Sequence, residues 1–107
     1  MKNLAGLMKQ ASQMQSKMAE MQAKLETIEV MGSAGAGMVS ITLSGKGDLK
    51  KVKFDPKLAD PAEIEMLEDL ISAAVRAAQN KAAEMMRAEM AKMAGDLGLP
   101  PGMLPGA

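Results

Sequence analysis

The amino-acid sequence predicts an α+β fold: a long N-terminal helix, a three-stranded antiparallel meander and a long C-terminal helix (α-β-β-β-α), assembling as a dimer. Three observations carry this expectation. Apolar residues recur at heptad spacing through the first segment. The middle of the chain switches to alternation between turn signals, and a capped start at Asp60 opens a long run free of proline.

The first helix is predicted from about Asn3 to Glu26. Leu4, Leu7, Ala11, Met14, Met18, Met21 and Leu25 alternate steps of three and four. That is a helix seam of period about 3.5, which a strand cannot produce. A seam this narrow faces another helix. Thr27–Met31 then alternates, with Ile28 and Val30 on one face, and GSAGAG at 32–37 reads as a hairpin connection. The next run places Val39, Ile41 and Leu43 inward and Ser40 and Thr42 outward. Ser44–Asp48 carries turn chemistry, and Leu49–Asp55 forms a third strand with Val52 and Phe54 inward and Lys51 and Lys53 outward. Pro56 closes the sheet, because proline cannot donate to a continuing ladder.

Asp60-Pro61-Ala62-Glu63 has the order of a helix start: an N-cap, proline in the first position and glutamate in the third. This helix is expected to reach Ala94, with Gly95 ending it. At ~1.5 Å per residue it measures roughly 50 Å, and the first helix about 36 Å. A compact globule of this length is only about 34 Å across. Two rods of that size outrun one small sheet, so a homodimer is expected. Residues 1–95 read as one domain, and the Gly/Pro-rich stretch 96–107 as a flexible tail.

Composition narrows the function. The 107 residues are 48% hydrophobic and 24% charged, which suits a folded domain. Without Cys or His the chain lacks a thiol nucleophile, the commonest general base and the commonest metal ligands. Phe54 is the single aromatic residue, so no base-stacking platform exists. The eight Ser and Thr hydroxyls have no imidazole to activate them, and no enzyme, cofactor or small-molecule substrate is expected. GSAGAG is followed by a strand rather than a helix, which removes the nucleotide-loop reading. Glu63, Glu65, Glu68 and Asp69 sit in the first turns of a helix, where its dipole favours acids, so no metal site is read there. No stretch approaches a membrane span or a secretory leader, and the expected setting is cytoplasmic.

Net charge is zero, yet residues 1–57 hold nine lysines against five acids, while residues 58–107 hold four basic residues against eight acids. The run GSAGAGMVSITLSGKGDLKKVKFDP, followed by DPAEIEMLEDLISAAVRAAQNKA, resembles the YbaB/EbfC family of bacterial nucleoid-associated proteins. The Lys-, Met- and Gln-rich opening helix and the ending GLPPGM agree with it. The resemblance covers nearly the whole chain. It implies an α-β-β-β-α subunit, a dimer with paired sheets and projecting helices, and DNA binding in the nucleoid without catalysis.

The leading candidates for DNA contact are Lys2, Lys9, Lys17 and Lys24. They form a stripe about 80° wide, roughly 120° from the apolar seam. Residues 1–19 contain no acid. Phosphates are held by cations in a row, and this is such a row. A solvated face of an amphipathic helix presents the same pattern. Lys51, Lys53, Arg76 and Arg87 are secondary candidates, though lysines on a small sheet also protect it from edge pairing. Lys46, Lys50 and Lys81 are further basic residues beside them. Leu4, Leu7, Met14, Met18, Met21 and Leu25 are read as the dimer or core seam. The rival function is a protein-interaction module whose Met-rich helices bind a replication or recombination partner.

Overall fold

The computed structural model describes residues 3–98, so Lys2 and residues 99–107 lie outside the described residues. The order of elements is α1 (Leu4–Thr27), β1 (Glu29–Ala34), β2 (Val39–Ser44), β3 (Leu49–Phe54) and α2 (Ile64–Leu97). Two short 3₁₀ turns, Pro56–Leu58 and Pro61–Glu63, join β3 to α2. The strands form one antiparallel sheet in the order β1-β2-β3. The α-β-β-β-α reading is therefore what the chain adopts.

The core lies between α2 and the two strands β1 and β2. Val30, Val39, Ile41 and Leu43 point at Ala74, Ala78 and Ala82, with Leu58 closing one end. Small residues bring helix and sheet unusually close. A Cβ on Gly32 would run into the backbone of Ala74 and Ala78, so only glycine fits in β1 at that crossing.

Four local expectations are corrected. β1 runs through Gly32, Ser33 and Ala34, and only Gly35–Met38 form the connection to β2. There Ala36 and both flanking glycines have positive φ, as a tight hairpin of right-twisted strands requires. Thr27, assigned to the first strand, instead ends α1. Gly95 lies inside α2, and Gly98 ends the helix in the left-handed conformation, its N–H donating to Ala94 and Gly95 carbonyls.

The fourth correction concerns β3. Val52 and Phe54 pair with Ile41 and Val39 and share their face, yet remain 44% and 39% exposed. A helix about 10 Å wide covers two strands spaced ~4.8 Å apart and does not reach a third. Between Thr42 and Leu43 the register slips, leaving Lys50 as an extra, unpaired residue in β3.

Beyond the sheet, α2 continues and meets α1. Met21 and Leu25 of α1 pack on Met90, Met93 and Ala94 of α2. Gly45 N–H donates to the carbonyls of Leu25 (2.9 Å) and Ile28 (3.0 Å), fixing the end of α1 to the end of β2. The resulting body measures 72 × 21 × 16 Å, with a radius of gyration of 19.4 Å. A compact domain of this length has about 13 Å.

Gly32→Ala is expected to lower the unfolding free energy by about 1–3 kcal/mol, because the new methyl has nowhere to go. Gly6→Ala, at an open helical position, should instead raise it by about 0.5–1 kcal/mol. Urea denaturation of the two variants checks the pair.

Candidate nucleic-acid interface

The N-terminal half of α1 is a bare arm. Residues 3–13 are exposed on every side, and the half-buried positions begin at Met14. Leu4 and Leu7 of the seam are 58% and 59% exposed. Within one chain the seam is thus covered only over its second half, half-buried at Met14 and Met18 and buried at Met21 and Leu25. The arm carries Lys9 and no acid.

The lysine stripe is not uniform. Lys9 has no ion-pair partner among the described residues. Lys17 Nζ lies 3.7 Å from Glu20 one turn later, both open to solvent, an arrangement worth about 0.3–0.5 kcal/mol that leaves the ammonium accessible. Lys24 is different. Its Nζ donates to Glu89 Oε2 at 3.0 Å, which draws it off the stripe and onto α2. Lys24 is therefore a tie between the helices rather than a free cation.

Glu89 is the residue that reading the sequence missed. Its side chain is about nine-tenths buried, and Lys92 Nζ approaches Oε1 at 3.7 Å. The hydrogen bond from Lys24 lowers its pKa most, burial pushes the other way, and the charges of Lys24 and Lys92 lower it further. The net direction is down. A signal was present: Glu89 falls in the helical register of Ala78, Ala82, Met85 and Met93, an acid in an apolar row. Such an acid needs a cation opposite. Together with Lys17, Glu20 and Asp96, these groups line a groove of about 160 Å³ in which three cations face three acids.

The secondary candidates occupy two other surfaces. Lys51 lies opposite Thr42 and Lys53 opposite Ser40 on the sheet face turned away from α2. Both lysines are exposed and have no ion-pair partner among the described residues. Arg76 and Arg87 are exposed on α2. They stand about 20° apart around its axis, roughly opposite the buried alanines. Lys81 donates to the Met31 carbonyl at 2.7 Å and so covers part of the free β1 edge. The structure does not bring the stripe, the sheet lysines and the arginines into one patch. Among the described residues no three His, Cys, Asp or Glu side chains gather as a metal site, and no helix is long and apolar enough to cross a membrane.

Residues 1–97 match the model of the YbaB/EbfC DNA-binding family. A nucleoid-associated protein of Granulibacter bethesdensis is 69% identical over 103 residues, covering 96% of each chain. One from Paramagnetospirillum magneticum is 64% identical over 102 residues, covering 95% of each. The crystal structure of an uncharacterised protein from Helicobacter pylori superposes with a TM-score of 0.59 at 21% identity, over 66% of this chain and 82% of that one. This last likeness concerns the fold.

The pH dependence of the helix tie follows from the direction of the Glu89 shift. A carboxyl held below its ordinary range contributes stability at neutral pH and loses it as pH falls through the lowered value. Glu89→Gln should be less stable than the parent chain at neutral pH, and that gap should close in acid. Urea midpoints measured across the carboxylate range report it.

Proposed function

This chain belongs to the YbaB/EbfC DNA-binding family, and from that premise we propose that it is a nucleoid-associated homodimer that grips duplex DNA by its phosphates through lysines of α1. The family is defined by DNA binding and not by a reaction, in keeping with a chain that has neither Cys nor His. The observation that carries the reading is the bare arm. Residues 3–13 project without an acid, Lys9 is free of ion pairs among the described residues, and Lys17 follows on the same side. Lys24 contributes by holding the arm's root against α2.

Two features support the dimer. The exposed seam residues Leu4 and Leu7, and the uncovered Val52 and Phe54 of β3, are apolar surface that one chain leaves to solvent. Two copies double the stripe. With zero net charge, the binding is modest in strength, falls with salt and reads sequence weakly. A role in organising the nucleoid, and through it gene expression, follows from such binding.

Light scattering should give twice the 11.2 kDa chain mass. Duplex titrations at several salt concentrations should then fall log-linearly. Lys9→Gln combined with Lys17→Gln should weaken binding equally on unrelated duplexes and reduce the salt slope by about 0.9 for each phosphate no longer neutralised. An unchanged slope, or no binding by the parent chain at low salt, would overturn the proposal.

A further inference from the structure

On the side of the α1–α2 seam away from Glu89, the helices do not close. An open cleft of about 400 Å³ remains, room for on the order of ten waters. Met18 and Met21 of α1 line it from one side, and Met86 and Met90 of α2 from the other. Each pair is spaced by one helical turn, three residues apart in α1 and four in α2, which puts its side chains on a common face. Met21 and Met90 are buried at the floor, Met18 is half-buried, and Met86 is exposed at the mouth.

We propose that this cleft is a thioether site for one soft monovalent cation of the Cu(I) class, with Ag(I) as its chemical mimic. Thioether sulfur is the only soft donor in a chain without Cys, and it prefers Cu(I) to Zn²⁺, Mg²⁺ or Ca²⁺. No carboxylate lines the cleft. Glu89, the nearest buried acid, belongs to the groove on the other side of the seam. Hard cations thus find no anionic oxygen here. The polar lining is Gln22, whose side-chain carbonyl is neutral, and Lys46, whose Nζ is held by Glu26 at 3.2 Å. That ion pair offsets the one positive charge at the mouth. Three rotatable bonds let each methionine swing its sulfur toward a common centre without moving the helix backbones. The four side chains leave the space between them open to solvent, so a cation can enter without unpacking the seam.

The test uses the full chain carrying methyl-¹³C methionine. Silver nitrate is titrated in chloride-free buffer, and Cu(I) anaerobically against a chromophoric chelator. The expected result is one cation per chain, with methyl shifts confined to the seam methionines around Met18, Met21, Met86 and Met90. Met18→Leu with Met86→Leu should weaken binding at least tenfold, and Met86→Leu alone, at the exposed mouth, severalfold. Met8→Leu with Met66→Leu, both at exposed positions elsewhere, should bind as the parent does. Uniform response of all exposed methionines, parent-like binding by both cleft variants, equal binding of Zn²⁺, or no binding at all would each overturn the proposal. DNA titrations on the same samples are read separately, so neither result decides the other.

Discussion

The backbone of α2 rests almost directly on β1, and most of the architecture descends from that contact. Gly32 has no side chain to hold the helix off, and Ala74, Ala78 and Ala82 present the smallest surface a helix can offer. Close approach lets Val30, Val39, Ile41 and Leu43 wrap the helix flanks and shed most of their exposed area. It also fixes the line of α2 along β1 and β2, which leaves β3 without a roof. The uncovered strand is thus a consequence of good packing next door. A strand that leaves Val52 and Phe54 half-open in this way is an edge that a monomer would be expected to blunt. Lys51 and Lys53 on the opposite face, and the extra residue Lys50, are consistent with that need.

Much of this was legible in the sequence, for identifiable reasons. Alternation through Val39, Ile41 and Leu43 specified which face of β2 meets α2, but not that Thr42, expected outward, is buried as well, flanked on the central strand by Met31 and Lys51. The order Asp60-Pro61 announced the approach to α2, and Asp60 does accept from the Ala62 N–H, though as the cap of a 3₁₀ turn. What failed to show was whatever depends on a partner element. Gly32 looked like the start of a loop, since a glycine that permits helix contact and one that permits a turn are the same letter. Gly95 looked like a stop, but a helix with tertiary contacts on Met93 and Ala94 absorbs the cost of one glycine, about 1 kcal/mol. Pro56–Leu58, with Leu58 buried, gave no periodic signal because three residues hold no period.

The candidate interface was legible by half. Charge spacing identified the stripe on α1, and Lys9 and Lys17 keep their ammonium groups open to solvent where that spacing put them. Lys24 obeys the same spacing, but its fate was decided by Glu89, 65 residues away. Periodicity describes one helix at a time. It cannot say which lysine meets an acid on another, and here that pairing separates a cation available to phosphate from one that joins two helices. The distinction matters energetically, since a nearly buried carboxylate stripped of its cation is costlier than an exposed lysine stripped of an acid.

A single helix serves both cores: α2 leaves the sheet near Ala82 and reaches Met90, Met93 and Ala94 without a break. It therefore behaves as a stiff lever with its fulcrum at the Gly32 crossing. The portion beyond Ala78, where the crossing lies, is about 28 Å long, so a tilt of roughly 10° at the fulcrum swings its far end by about 5 Å. α1 packs on that end through Met21 and Leu25 while its own end stays bonded to Gly45, so its arm turns about that root. The direction of the arm is consequently governed far from the arm itself, by methyl-sized differences in thickness between a strand and a helix. A one-methyl change in thickness at this crossing would therefore set the α1 arm at a different angle to the sheet while leaving its lysines in place.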